Sequence, residues 1–128
     1  MTDSPAVAAA RRLAEDVLLA NALVTDRSDR IPAANLDALA DAGLYGIFVP
    51  EAMGGLGADG DDVFTVIEVL ASGCVTTALV WMQHFGLLGR LLAPGPLGEA
   101  WLADATAGRR RGAIAFGGLL PGPPILTA

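Results

Sequence analysis

Apolar positions in the first two dozen residues recur at helical spacing. Ala10, Leu13, Ala14, Val17 and Val24 share one side, while Arg11, Arg12, Glu15 and Asp16 share the other. Ser4 followed by Pro5 is a helix start, with Ser as N-cap and Pro in the first turn. The spacing predicts an amphipathic helix over about residues 5–24, then a polar link from Thr25 to Arg30. A second helix opens at Pro32. It carries Leu36, Leu39 and Ala40 on its apolar face and ends at Gly43, where a C′ glycine belongs. The periodicity then lapses. Leu44 to Pro50 reads as extended or irregular, and the glycines of Glu51-Ala52-Met53-Gly54-Gly55-Leu56-Gly57 give the backbone access to positive φ, with Glu51 bracing the turn.

Asp59 to Asp62 make an acidic start for a third helix, suited to the positive end of its dipole. Val63, Val66, Ile67, Leu70 and Ala71 line it, and Gly73 is its expected stop. Thr76 or Thr77 is then positioned to cap a fourth helix, Ala78 to Leu92, which is apolar nearly all round and so is expected at the centre of the core. Pro94-Gly95-Pro96 interrupts the chain. A fifth helix, about Leu97 to Ala107, turns Trp101, Leu102 and Ala105 inward and ends at Gly108. From Arg111 to Phe116 apolar residues alternate with alanine, the signature of a short strand, and the Gly- and Pro-rich run after it is irregular. A lone strand has no partner here. The pattern therefore predicts an all-α bundle with a short strand at its C-terminal end.

Composition narrows the function. Hydrophobic residues are 53% of the 128, enough for a packed core. The formal charge is −6 and every basic residue is Arg, which speaks against nucleic acid or an anionic membrane as partner. Arg109-Arg110-Arg111 reads as a solvated helix end. Cys74 is the sole cysteine and His84 the sole histidine, so no internal disulfide or zinc cluster is expected. Asp59, Asp61 and Asp62 lack the longer calcium-loop pattern, and no metal site is assigned. Gly54-Gly55-Leu56-Gly57 lacks the Lys-Ser/Thr of a phosphate loop. The first residues show no leader. Ala78 to Leu92 holds Gln83, His84 and Arg90 and falls short of the ~20 apolar residues of a membrane span. A cytoplasmic location is the expectation.

The string LADAGLYGIFVPEAMGGLGAD resembles the acyl-CoA dehydrogenase family. It has a helix ending in Gly43-Leu44, an extended Val49-Pro50-Glu51, the pair Gly54-Gly55 and then Gly57. VIEVLASGC, with Glu68, resembles the family's next helix. WMQHFGLL, with His84, resembles its buried helix, and Gly95 to Ala115 resembles a helix and strand leading to the flavin. The resemblance runs from Pro5 to about Leu119 and implies a helical domain over 1–110 and the start of a β-domain, with its first strand, over 111–128. It implies an FAD-dependent oxidoreductase of fatty acid metabolism that dehydrogenates an acyl thioester between its α- and β-carbons, working as a homo-oligomer on acyl-CoA.

Two departures matter. At the family's flavin-touching Leu-Thr-Glu-Pro turn this chain has Phe116-Gly117-Gly118-Leu119, which leaves backbone contacts to FAD as the expectation. The family's β-domain and C-terminal bundle, which carry the catalytic Glu, most of the flavin site and the main oligomer interface, have no counterpart within 128 residues. No catalytic residue is therefore assigned, and the chain alone is expected to be inactive. By the same resemblance Met82, Gln83, His84, Phe85 and Leu88 line the acyl pocket, although a core histidine bonded to a carbonyl is the plainer reading of His84. Two alternatives stay open: a non-catalytic helical subunit pairing with a full-length relative that supplies the bundle, and part of a flavin-dependent monooxygenase of the same fold.

Overall fold

A computed structural model describes residues 2–115. Helix α1 (Pro5–Leu13) begins where Ser4 Oγ accepts from the Val7 amide, 3.3 Å away. It widens into a π-helical stretch (Ala14–Leu19) and, after Ala20-Asn21, resumes as α2 (Ala22–Arg27). The expected single helix is thus three pieces. Thr25, expected in a linker, is a buried part of α2. Helix α3 (Ala33–Asp41) ends at Gly43, whose φ of 75° is the left-handed value that a C′ glycine supplies.

Residues 44–58 fold back on themselves through two short 3₁₀ turns, Leu44–Gly46 and Glu51–Met53. The Leu56, Gly57 and Ala58 amides donate to the carbonyls of Gly46, Val49 and Ile47 at 3.0, 2.9 and 2.9 Å. Gly55 lies so close to the Val49 carbonyl that no side chain fits there. Glu51 is exposed, and its side-chain stem lies against Gly57.

Asp59 Oδ1 accepts from the Asp62 amide at 2.9 Å and caps α4 (Gly60–Met82). This helix does not stop at Gly73. Gly73 is where α4 presses on α1's continuation: a Cβ there would lie 2.8 Å from the Ala14 carbonyl oxygen and 3.0 Å from Leu18 Cβ. The break falls one residue later, at Cys74, with φ −159° and ψ 103°. Neither threonine caps the second half. The Cys74 sulfur does, accepting from the Thr77 amide at 3.5 Å and the Thr77 hydroxyl at 3.2 Å.

Because its halves join, α4 is 23 residues long and apolar enough to cross a membrane by length and composition, which the segmented sequence reading did not foresee. One face of it packs against α1, Leu18 and α3, and 33% of its most apolar window is buried among the described residues.

After Gln83 the chain continues as α5 (His84–Leu92) and α6 (Pro96–Thr106). The expected wholly buried helix is instead amphipathic. Ala78, Trp81, His84, Leu88 and Leu91 are buried, whereas Leu79 and Val80 face outward. Trp101, expected inward, is 39% exposed and lies beneath the Arg110 guanidinium, 4.7 Å from the ring centre.

The main core joins α1, α3 and α4 around Leu18, Leu39, Leu70 and Trp81, and a smaller one joins Val49, Leu88, Leu91 and Ala105. Arg111–Ala115, the described part of the expected strand, forms no strand pairing; Phe116 onward lies outside the described residues.

Candidate functional site around His84

His84 opens α5 at the seam between the two cores and is 1% exposed. Its ring meets Tyr45 edge-on, centroids 4.9 Å apart. Nε2 lies 2.9 Å from the Ala105 carbonyl of α6, and Nδ1 accepts from the Gly112 amide at 3.2 Å. The two bonds together require the neutral tautomer with its proton on Nε2. Burial, chiefly, holds the imidazole below its ordinary pKa, with the Arg111 charge acting in the same direction against the Ala105 bond. Burial likewise raises the Tyr45 phenol.

The other residues assigned to the acyl pocket divide. Leu88 is fully buried in the second core. Phe85 is half-buried and stacks edge-on against Trp81 and Phe48, centroids 4.8 and 5.2 Å apart. Trp81 is itself fixed by donating from Nε1 to the Leu44 carbonyl at 3.1 Å. Met82 and Gln83 are half-buried where α4 passes into α5. Phe116, Gly117, Gly118 and Leu119, assigned to flavin contact, lie outside the described residues.

The arginine run is solvated but not idle. Arg109 pairs with Asp104 at 2.7 Å and Arg111 with Asp37 at 2.8 Å, and the Arg111 guanidinium lies 5.1 Å from the Tyr45 ring centre.

Sequence reasoning missed a second polar cluster. Asn35 is fully buried on α3. Its Nδ2 donates to Thr25 Oγ1 at 3.1 Å and to Thr77 Oγ1 at 3.2 Å, and its Oδ1 accepts from Asn21 at 3.3 Å. The available signal was a polar residue four positions before Leu39, on the helix's apolar stripe.

A cavity of about 540 Å³ lies by the start of α4, lined by Ser4, Glu51, Gly57, Asp59 and Asp62 among others. A second, of about 410 Å³, sets Arg12 beside Asp16 and Asp41, and a third of about 330 Å³ runs from Met53 to Leu102 along apolar residues. The first lining is acidic, the second sets its one Arg beside two carboxylates and the third is apolar but for Glu99, so none fits the phosphates of a flavin nucleotide. Among the described residues no three His, Cys, Asp or Glu side chains gather as metal ligands.

The chain, an all-α unit with this element order and glycine turn, matches the family model described as "Acyl-CoA dehydrogenase, N-terminal domain" over residues 5–96. The chain belongs to the acyl-CoA dehydrogenase family, a family of oxidoreductases.

Curated relatives include 3-sulfinopropanoyl-CoA desulfinase of Advenella mimigardefordensis, 33% identical over 67% of this chain and 22% of the relative. Mitochondrial short-chain specific acyl-CoA dehydrogenase of Bos taurus is 31% identical over 83% of this chain and 26% of the relative. A probable FMNH2-dependent monooxygenase of Pseudomonas putida is 40% identical over 80% of this chain and 26% of the relative. The chain thus spans about a quarter of the length of these relatives. No solved structure matches.

Proposed function

We propose that this chain is the N-terminal helical part of an FAD-dependent, acyl-CoA dehydrogenase-like oxidoreductase that desaturates an acyl thioester between its α- and β-carbons. The observation that carries this reading is the family match across residues 5–96. Residues 1–110 form the helical domain and residues 111–128 enter the next one.

Within it, Met82, Gln83 and Phe85 meet the acyl group, because they keep exposed surface where α4 passes into α5, and His84 and Leu88 support them from behind. Phe116 to Leu119 contact the flavin through their backbone. When bound, the flavin supplies the hydride-accepting chemistry. The carboxylate base comes from sequence outside these 128 residues, in the same polypeptide or in a separate subunit. The local acids Glu15, Asp16, Glu51, Glu68 and Glu99 are all exposed, as surface charges are.

A second reading, flavin-dependent monooxygenation, is favoured by the 40% identity to the probable monooxygenase and by the Phe116-Gly117-Gly118-Leu119 turn without its Thr and Glu.

Expression with the neighbouring coding sequence, or with a co-encoded partner, tests both. Flavin absorbance together with acyl-CoA-dependent reduction of an electron acceptor is the expected result. Oxygen consumption that needs reduced flavin would select the monooxygenase instead. A stable assembly without flavin would overturn both and leave a non-catalytic helical subunit.

A further inference from the structure

The chain leaves α6 by crossing α5, and several independent contacts hold it there. Gly108, with φ 73°, turns it against Tyr45 and Ala40. Arg111 then spans two elements, its Nε donating to the Gly108 carbonyl at 2.8 Å and its Nη2 to Asp37 of α3 at 2.8 Å. Gly112 lies against Leu87, where a Cβ would come within 2.7 Å of the leucine side chain. Ile114 covers Gly86 of α5, whose own Cβ would lie 3.0 Å from it. At the middle of this crossing sits the Gly112 amide, bonded to His84 Nδ1.

We propose that His84 is a positioning residue: in its Nε2–H form it latches the strap Gly108–Ile114 across α5 and so fixes the path of the chain through Ile114. The same imidazole joins three parts of the fold at once, α5 through its backbone, α6 through the Ala105 carbonyl and the strap through Gly112. Neither ring nitrogen is left to bind a ligand.

The latch has one working protonation state. A proton on Nδ1 would set two N–H donors against each other and remove the amide's acceptor. The groups that face the ring make this proton unwelcome. Tyr45, from the 3₁₀ turn, presents a neutral phenol; Arg111, from the strap, presents a positive charge; and its counter-ion Asp37, on α3, faces the guanidinium. With the folded pKa below the ordinary value of about 6.5, the latch is fully closed above that value. It is lost as pH falls through the folded pKa, before which the unfolded chain already binds the proton.

The inference stands on geometry and does not depend on the flavoenzyme reading, since its test involves no cofactor. In the 15N-labelled 128-residue chain, two-bond ring couplings report the His84 tautomer and hydrogen exchange reports each amide. At neutral pH the expected result is the Nε2–H tautomer and a protected Gly112 amide. On acidification Gly112 should lose protection by about tenfold, while Trp81 and Leu88 keep theirs. In His84→Phe, which retains a ring against Tyr45, Gly112 should exchange freely at every pH. An Nδ1–H tautomer overturns the proposal. So does loss of Gly112 protection only in step with Trp81 and Leu88, or protection at Gly112 that is equal in wild type and His84→Phe. If the variant does not fold, the wild-type tautomer and pH series decide alone.

Discussion

Asn35 shows how much one polar side chain can organise. It lies on the stripe of α3 that also carries Leu39, yet it is fully buried and bridges α2 and α4 through Thr25 and Thr77. A buried amide is tolerated only when its donors and acceptors are met. Asn35→Ala leaves two threonine hydroxyls short of a partner and opens a void. The expected loss is about 2–4 kcal/mol in urea denaturation. Asn21→Ala, at the half-exposed edge of the network, should cost less than about 1 kcal/mol. Equal losses would show that the bridge across the core is not what Asn35 contributes. Residue by residue, the cap at Ser4, the acidic start of α4 at Asp59 and the left-handed glycines at 43 and 108 were legible, because each rests on chemistry within a few positions. The Asn35 network and the His84–Gly112 bond were not, because their partners stand 42 and 28 residues away in the chain.

Helix α4 is the element in which local signals misled most. Gly73 looks like a stop, but a glycine in mid-helix also permits close approach, and here the main chain of Ala14 takes that space. The true discontinuity at Cys74 carries no breaker residue. Its extended φ/ψ and its sulfur accepting from the amide three residues on are N-cap geometry performed by a thiol. Since a thiol accepts weakly, Cys74→Ala should cost only about 0.5–1 kcal/mol, and Cys74→Ser should match or exceed the wild type. Thermal melts of both variants check this; a larger loss for Ser than for Ala would refute the cap. The outer face of the expected helix Ala78–Leu92 was misjudged for a related reason, since Leu79 and Val80 at the end of α4 are exposed. Its run of apolar residues reads as buried all round, but only one stripe finds a neighbour among the described residues.

At the scale of the molecule, an all-α bundle of this family was legible because order and glycine placement carry it. Part of the surface of α4 is apolar. Val75 is 67% and Leu79 56% exposed, one turn apart on α4, and Phe64 is 69% exposed on the same helix. Such surface favours self-association. The double variant Val75→Glu, Leu79→Lys places an acid four residues before a base. It should reduce light scattering and hydrophobic-dye binding while changing stability by no more than about 0.5 kcal/mol. Unchanged scattering would locate the sticky surface elsewhere. The length and apolarity of α4 also bear on how the protein is made. At about 5–20 residues per second, translation delivers α1 through α3 to the tunnel exit seconds ahead of the final turns of α4. The longest apolar segment therefore emerges only after the helices against which its inward stripe, Val66, Leu70 and Trp81, will pack.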